Sequence, residues 1–414
     1  MKKIFSLIFT AFLINSCNNE VDIIHPVLDP SDFLKETIPL DDNSKNVMEG
    51  IYSVQEGTEL LGSQVVVKWT RDRLSIFSGK DGGFLNLLGG RLDSVVFFRG
   101  IWRYILNNMT GTATFYVPSN EGGKKIIVGD TSNSTIKLIG SYGSENGLAD
   151  KRLILVYQRP FSQAVKNNDF LIMSHRGGAR NSEYLGVSEN TIEMINICER
   201  LGATGIEIDL RLSKDGIPFI YHDNDINLRL VQKSLIWGNI ENFTWPQLRT
   251  LITLKNGEKI PSLREVMEFV LLHTTLKAVW FDIKSPEVLL SAIKIQSEIL
   301  QRAEEMGRDL KIYIGIPSQD VLEAFITYPN YQNIPSLCEL SIDDVRHVNA
   351  QVWAPRWTQG IQTAEVLQMH AEGRKAFVWT LDEPNYIEIY VNESKFDALL
   401  SNYSVIVAYY HYIR

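Results

Sequence analysis

Cysteine is rare in this sequence, with 3 residues in a chain of 414. Three cysteines cannot form the dense disulfide framework that holds small secreted domains together, so a buried apolar core has to stabilise the fold. The chain is long enough for two or three domains by length alone. Its 44% hydrophobic content is that of an ordinary globular protein. The composition therefore favours folded globular domains.

Positive charge is also in short supply. Lysine and arginine number 41 against 49 aspartate and glutamate residues, which gives a formal net charge of −8, and no basic run stands out. Nucleic-acid binding depends on neutralising backbone phosphates with basic side chains. We therefore expect no nucleic-acid partner.

The N-terminal hydrophobic run is too short to span a membrane. It follows two lysines and extends from Ile4 to Ile14. It ends at Cys17 in a pattern that resembles a bacterial lipobox. Residues 1–17 are therefore predicted to be a lipoprotein signal peptide, with Cys17 lipidated and the exported protein anchored on the periplasmic or cell-surface side of a membrane. An ordinary secretory signal with an incidental cysteine is the alternative.

Residues 18–46 are polar, rich in aspartate and contain proline. A segment of this composition buries too little apolar surface to fold, so it is predicted to be a tether with little structure of its own. The two remaining cysteines, Cys198 and Cys338, lie in apolar patterns. They are predicted to be buried free thiols.

Residues 47–165 contain short β-rich runs separated by glycine, asparagine and aspartate. Eight runs at close spacing are typical of an all-β sandwich or barrel. The runs are Ile51–Val54, Gln64–Trp69, Arg73–Phe77, Ser94–Arg99, Gly111–Val117, Lys124–Val128, Thr135–Ile139 and Arg152–Gln158. Lys68, Arg73, Trp102 and Arg103 could mark a binding surface on this domain, whose role is open. The alternative is a spacer or docking module with a solvated charged face.

A second pattern begins with a short apolar strand, Phe170–Met173, followed by a helix from Thr191 and a strand over Ile206–Arg211. On that last strand Glu207 and Asp209 point to one face, with their Cα atoms roughly 6.6–7 Å apart. Two carboxylates on one buried face repel each other unless a cation lies between them, and Mg²⁺ or Ca²⁺ prefers such oxygen ligands. A pair of salt-bridged carboxylates is the alternative interpretation.

Asp215-Gly216 predicts a two-residue hairpin turn, which places Asp209 opposite His222. His175, at the end of the preceding strand, would reach the same place. Two imidazoles flanking a carboxylate pair are poorly explained as structural residues.

Five short motifs follow one another in this region: His175-Arg176-Gly177, Glu189-Asn190-Thr191, Glu207-Ile208-Asp209, Lys214-Asp215-Gly216 and His222-Asp223. In order and spacing they resemble the glycerophosphodiester phosphodiesterase family, within the phospholipase-C-like phosphodiesterases. The resemblance covers roughly residues 168–410 and implies a (β/α)₈ barrel, so a barrel domain is predicted over residues 168–414.

Strand and helix patterns alternate from here to the end of the chain, with Thr244 and Ser262 as predicted helix N-caps. Eight parallel-type strands predict an α/β fold, a (β/α)₈ TIM barrel preceded by the smaller all-β domain. Chemistry in such barrels lies at the carboxyl ends of the strands. Asp282 and Lys284 share a face at one such end, which makes Asp282 a candidate third metal ligand and Lys284 a candidate phosphate contact.

The resemblance implies hydrolysis of a small glycerophosphodiester to glycerol 3-phosphate and an alcohol. Its single cofactor would be a divalent cation, Ca²⁺ or Mg²⁺, on Glu207, Asp209 and Asp282. Two histidines can supply the acid and the base, since imidazole titrates near neutral pH. The remaining assignments are His175 and His222 as the acid/base pair, Arg176 and Lys284 as phosphate contacts, and Glu189 and Asn190 as supporting residues.

The chain departs from the family pattern at several positions. Asp282 stands where the family usually has glutamate, Ser188 replaces a common proline after a longer loop, and Ser401-Asn402 replaces a frequent Thr-Asp. Trp353, Trp357 and Trp379 lie near later strand ends, either lining the mouth or packing. Two alternative functions stay open: a phosphodiesterase for lysophospholipids or glycerophosphoinositol, and a non-catalytic surface lipoprotein.

Overall fold

The computed structural model describes residues 25–26, 36–132 and 135–414. The predicted signal peptide, with Cys17, and most of the predicted tether lie outside the described residues. Within the described ranges, no helix combines the length and apolar content needed to cross a bilayer.

The N-terminal part consists of eight strands and three short helices. In chain order these are α1 (Asp42–Met48), β1 (Gly50–Glu56), α2 (Thr58–Leu61), β2 (Gln64–Thr70), β3 (Arg73–Ser78), β4 (Gly83–Leu92), β5 (Val95–Tyr104), β6 (Thr110–Val117), α3 (Gly123–Val128), β7 (Lys137–Ser144) and β8 (Lys151–Arg159). Each strand pairs antiparallel with the next and β8 pairs with β1, so the sheet closes into a barrel. We call it the N-terminal barrel; it confirms the predicted all-β domain.

Alternation of side chains explains how this barrel is filled. On β2 and β3, Val65, Val67, Leu74 and Ile76 point inward and belong to the barrel's own apolar cluster. The side chains that alternate with them along each strand, such as Val66 and Phe77, point outward.

Three sequence predictions fail in this region. Lys124–Val128 is the helix α3 and not a strand, because it packs on α1 and ends at Gly129 in the left-handed conformation, φ 68°. The strand β4 was missed because Gly89 and Gly90 interrupt its alternating pattern. Residues 36–46 of the predicted tether are ordered: Asp41 caps α1, whose buried side chains anchor it, and Ile38 pairs with Arg91 of β4.

The C-terminal part alternates strands and helices. Its elements are α4 (Gln163–Lys166), β9 (Leu171–Ser174), α5 (Ile192–Cys198), β10 (Gly205–Leu212), β11 (Pro218–Ile220), β12 (Asp225–Ile226), β13 (Val231–Ser234), β14 (Gly238–Asn239), α6 (Trp245–Leu251), β15 (Ile252–Leu254), α7 (Leu263–His273), β16 (Ala278–Ile283), α8 (Leu289–Glu305), β17 (Lys311–Ile316), α9 (Gln319–Phe325), β18 (Ser336–Cys338), α10 (Ile342–Val348), β19 (Val352–Trp353), α11 (Thr363–Ala371), β20 (Lys375–Val378), α12 (Pro384–Glu393), β21 (Ala398–Ser401) and α13 (Ser404–Tyr412).

Eight of these strands run parallel in the order β9, β10, β16, β17, β18, β19, β20, β21, and β21 pairs with β9 to close the ring. We call this ring the parallel barrel. It confirms the predicted (β/α)₈ fold. The hairpin strand β11 adds antiparallel to β10. The predicted N-caps Thr244 and Ser262 both form capping boxes, on α6 and α7.

The two barrels pack against each other through a shared apolar cluster. Outward-facing residues of the N-terminal barrel, among them Ile51, Val66 and Phe77, belong to the same buried cluster as the helices and strands of the parallel barrel. The terminal helix α13 contacts β3 directly. Cys198 and Cys338 are both buried and unpaired, as predicted.

Candidate active site at the carboxyl ends of the parallel strands

Three carboxylates converge where β10 and β16 end. The register pairs Asp209 with Asp282, and Glu207 lies one inward position earlier on β10. One oxygen of each lies within 4.8 Å of the others. Glu207 Oε1 and Asp282 Oδ1 are buried without a hydrogen-bond partner, and Asp209 Oδ1 is buried against the Lys284 ammonium. Buried acceptors without a partner are costly, so the cluster is suited to hold a hard cation.

The ammonium group of Lys284 forms ion pairs with two carboxylates of this cluster. Its Nζ lies 2.8 Å from Asp209 Oδ1 and 2.5 Å from Asp282 Oδ2. Burial opposes its charge, but Asp209 and Asp282 raise the pKa of Lys284 above its usual value. Burial raises the pKa of Glu207 well above its usual range, and the charges of Asp209 and Asp282 raise it further. One ammonium therefore does not balance three carboxylates, and a divalent cation would fit.

His175 begins the turn that follows β9, and its ring orientation is fixed. The Asn402 amide donates to Asp382 Oδ2 at 2.7 Å, so its carbonyl oxygen faces His175 Nδ1 at 3.0 Å. Nδ1 therefore carries the proton and Nε2, 3.7 Å from Glu207 Oε2, keeps its lone pair. Burial, with a contribution from Arg176, lowers the pKa of His175 to about 3. The ring is neutral at neutral pH.

His222 is oriented by its sequence neighbour. Its Nδ1 lies 2.6 Å from Asp223 Oδ1, and Arg229 and Asn227 hold the Asp223 carboxylate by further hydrogen bonds. Nδ1 donates to this carboxylate, which leaves Nε2 available. Burial lowers the pKa of His222, although Asp209 opposes this effect. The two histidines thus share one arrangement, with Nδ1 anchored and Nε2 free to exchange a proton.

The hairpin that carries His222 differs from the predicted one by one residue. Leu212 pairs with Pro218, and Asp209 lies opposite Tyr221 and not His222. The Asp215 carboxylate accepts hydrogen bonds from Ser213 Oγ and from the backbone of Trp245, at 2.7 Å each. The Ser213 N–H donates to the Ile217 carbonyl at 3.0 Å, so residues 214–216 form a three-residue loop in which Gly216 alone is left-handed, φ 82°.

Arg176 and Glu189 face each other in a buried ion pair. Arg176 Nη1 lies 2.7 Å from Glu189 Oε1, and Arg229 Nη1 approaches the same carboxylate at 3.0 Å. The Arg176 backbone N–H donates to Glu207 Oε2 at 2.9 Å, in a left-handed conformation with φ 56°. Glu189 therefore lies with the two arginines and outside the carboxylate cluster.

Asn190 supports the cluster directly. Its Nδ2 donates to Asp209 Oδ2 at 2.6 Å, and its backbone is left-handed with φ 55°. Strained backbone at both Arg176 and Asn190 is typical of functional sites, where the surroundings hold residues in unfavourable conformations.

Three residues of this site had no role predicted from the sequence: Glu339, Arg229, and Asn402, which was noted only as a departure from the family pattern. Asn402 and Glu339 lie at the ends of β21 and β18, and the strand-end rule could have found both. Burial raises the pKa of Glu339 well above its usual value, and Asp282 adds to the effect. Arg229 comes from the segment after the hairpin, where no local pattern predicts that it meets Glu189, 40 residues earlier.

The three tryptophans divide between packing and the barrel interior. Trp353 packs in the outer apolar cluster, and Trp357 lies there against Tyr386, with ring centroids 5.2 Å apart. Trp379 faces the interior of the parallel barrel.

A model of the glycerophosphoryl diester phosphodiesterase family matches residues 175–405, more than half of the chain. The protein belongs to this family. The match begins at His175, the first residue of the site. The predicted family is therefore confirmed.

Relatives with curated names agree with this membership. Human glycerophosphodiester phosphodiesterase 1 is 33% identical over 131 residues, which cover 30% of this chain and 36% of that protein. Glycerophosphodiester phosphodiesterase from Caldanaerobacter subterraneus is 31% identical over 151 residues, 35% of this chain and 57% of that protein. The chain thus spans about a third to just over half of these relatives. A crystal structure of a glycerophosphodiester phosphodiesterase from Parabacteroides distasonis is 22% identical, with a TM-score of 0.43, and covers 56% of this chain and 92% of that one.

Proposed function

We propose that the protein hydrolyses glycerophosphodiesters to glycerol 3-phosphate and an alcohol, in a reaction that depends on a divalent cation. One observation carries the proposal: three buried carboxylates, two of which have an oxygen without a partner, converge beside two histidines, each anchored at Nδ1. A structural ion-pair network seldom leaves two buried carboxylate oxygens unsatisfied in one place. Relatives with the corresponding name support the choice of substrate.

Glu207, Asp209 and Asp282 would hold the cation, which supplies a Lewis acid for the phosphoryl oxygens. Lys284, beside two of these carboxylates, adds positive charge on the same side. Asn190 keeps Asp209 in place through its amide. Arg176 contributes its backbone N–H to Glu207 and its guanidinium to the local positive field.

Both histidines are predominantly neutral near pH 7, so either can start as the base. One Nε2 takes the proton of the attacking hydroxyl. The other, protonated once a phosphodiester anion lies beside it, gives its proton to the leaving alkoxide. The attacking hydroxyl is either water or, as the family resemblance implies, a glycerol hydroxyl of the substrate that forms a cyclic phosphate before water opens it.

The test is the release of glycerol 3-phosphate from glycerophosphocholine and glycerophosphoethanolamine, first with EDTA and then with Ca²⁺ or Mg²⁺ restored. We expect EDTA to abolish release and one of the two ions to restore it. Release that is insensitive to EDTA would reject the carboxylate site. No release from either diester with either ion would reject the proposed reaction.

Asp282 offers a matched pair of variants for the same assay. Asp282→Asn removes the charge of the ligand at nearly constant shape. We expect it to raise the cation concentration needed for half-maximal activity at least tenfold. Asp282→Glu keeps the charge and restores the residue usual in the family, so it should retain activity with a changed Ca²⁺-to-Mg²⁺ preference. Equal cation dependence in both variants and the wild type would remove Asp282 from the ligand set.

We propose further that Cys17 carries a lipid that anchors the exported protein. Cys17→Ser should move the protein from the membrane fraction to the soluble fraction. An unchanged distribution would favour a cleaved secretory signal or another anchor.

A further inference from the structure

A cavity of about 270 Å³ lies between the two barrels, away from the carboxylate cluster. Three arginines line it: Arg73 on β3, Arg103 on β5, and Arg200 in the turn after α5. The two barrels therefore contribute positive charge to one shared cavity. The rest of the lining is mostly apolar and includes Phe84 and Ile197.

Arg103 is only 4% exposed, yet no carboxylate forms an ion pair with it among the described residues. Its Nη2 donates two long hydrogen bonds of 3.3 Å, to Asn108 and to the Glu183 carbonyl, and its Nε is buried without a partner. Burying an unpaired guanidinium is expensive. Arg103 is the one buried charged side chain among the described residues of the N-terminal barrel.

Arg200 is less buried but has fewer partners. Within the described ranges its guanidinium makes no hydrogen bond and no ion pair, and its Nε is buried. Among the residues that the structure describes, Arg73 forms an ion pair only with its neighbour Asp72, whose Oδ2 lies 3.4 Å from Nε. Burial lowers the pKa of all three arginines below the usual arginine value.

The nearby carboxylates are engaged elsewhere. Glu199 lies 3.3 Å from Arg71 and accepts hydrogen bonds from Thr275. Glu183 accepts from Arg180 at 2.7 Å. His25 also lines the cavity, and burial together with Arg103 lowers its pKa, so its ring is neutral and supplies no counter-charge. The described residues thus leave the three guanidinium groups without sufficient counter-charge.

We propose that this cavity binds a small anion that carries a phosphate group. Guanidinium groups match phosphate oxygens in charge and in hydrogen-bond geometry, and an anion would satisfy the buried donors of all three arginines. The volume exceeds that of a bare phosphate, and the apolar walls suit a small organic substituent. The proposal does not rest on the proposed function, because none of the catalytic residues lines this cavity.

The position of the cavity gives the anion a structural consequence. Leu185 and Val187 line it, and the Glu183 carbonyl accepts from Arg103. All three belong to the loop between Arg180 and Ser188, whose end leads into Glu189 and Asn190 of the active site. A bound anion would therefore connect the N-terminal barrel to that loop.

The experiment measures binding of inorganic phosphate and of glycerol 3-phosphate to the full chain by calorimetry, in chloride buffer of constant ionic strength. Lys284→Gln serves as the background, because we expect the loss of this ammonium to weaken phosphate binding at the active site. In that background we compare Arg200→Gln with Arg152→Gln. Arg152 lies on the N-terminal barrel, is exposed and pairs with Glu56, so its variant removes the same charge away from the cavity.

We expect Arg200→Gln to weaken phosphate affinity at least tenfold and Arg152→Gln to leave it within twofold. In chloride alone, Arg200→Gln should melt no lower than its background, because it removes an unpaired charge. Tighter binding of glycerol 3-phosphate than of phosphate would identify an organic ligand, and equal binding would identify the phosphate group alone. Equal phosphate affinity in both variants, or no phosphate binding in the background, would overturn the proposal.

Discussion

The molecule contains two barrels of eight strands, and only one gathers reactive groups. The interior of the N-terminal barrel is filled by apolar side chains such as Leu85, Phe98 and Trp102. The parallel barrel has a similar apolar interior around Trp280 and Phe377, but its carboxyl edge carries acids, a lysine and histidines.

Strand direction explains the difference. In a parallel barrel all carboxyl ends meet at one edge, so residues that follow different strands become neighbours. In an antiparallel barrel these ends alternate between the two edges, so no single edge collects them. Among the described residues, the buried charge of the N-terminal barrel lies on its outer wall, at Arg103, where it faces the other barrel.

We expect the largest effect from deletion of the N-terminal barrel, which tests whether the parallel barrel folds without it. A fragment of residues 167–414 loses the partner surface that covers α13 and the shared cluster, so we expect it to be insoluble or to unfold far below the full chain. Thermal melting and glycerol 3-phosphate release measure the outcome. A fragment of residues 36–414 is the control. Full activity and stability of the shorter fragment would show that the N-terminal barrel is an independent module.

The next effect locates the chemistry. His175→Ala and His222→Ala should each lower kcat about 10²–10⁴-fold, the usual contribution of a general acid or base. The melting temperatures should change little, since neither ring fills the core. His347→Ala, an exposed change on α10, is the matched control. A near-normal rate in either active-site variant would remove that histidine from the mechanism.

A pair of phenylalanines sharpens the comparison of the two cores. Phe77 lies in the cluster shared by both barrels, and Phe98 lies inside the N-terminal barrel. Each change to alanine should cost about 3–5 kcal/mol of unfolding free energy. In calorimetry we expect a single transition that both variants shift. Two transitions, with Phe98→Ala shifting only one, would mean that the barrels unfold independently.

The smallest expected effect is a loss of folding stability at low pH, caused by protonation of His411. The ring of His411 on α13 stacks on Phe170, with ring centroids 5.1 Å apart. Burial, with a contribution from Arg414 and Lys68, lowers the pKa of His411 to about 3. Between pH 6.5 and 3 the unfolded chain binds a proton there that the folded chain does not. The stability is thus complete above pH 6.5 and falls below it, by about 2 kcal/mol at pH 5.

Urea unfolding at pH 7.5 and pH 5 measures this loss. His411→Phe keeps an aromatic ring against Phe170 and should reduce the loss between the two pH values, whereas exposed His347→Gln should not. An identical loss in all three proteins would show that other groups cause the acid sensitivity.

Much of the fold was predictable because local patterns suffice for it. The parallel barrel follows from alternating strand and helix signals, and the capping boxes at Thr244 and Ser262 follow from short local motifs. Two of the errors arose where another part of the chain intervened. Packing on α1 makes Lys124–Val128 helical, and Trp245 draws Asp215 away from the conformation of a two-residue turn.

The sequence alone determined which residues lie at the strand ends and on which face. Glu207 and Asp209 share a face because side chains alternate along a strand, and Asp282 joins them because parallel strands end together. The sequence also identified the family, since its five motifs are contiguous short patterns.

Tertiary structure alone decided the partners that orient these residues. Asn402 sets the tautomer of His175 from 227 residues away, and Arg229 joins Asp223 to Glu189. It also brought Arg73 and Arg103 of one barrel to Arg200 of the other around a single cavity. Such contacts depend on how barrels close and pack, and no local periodicity encodes that.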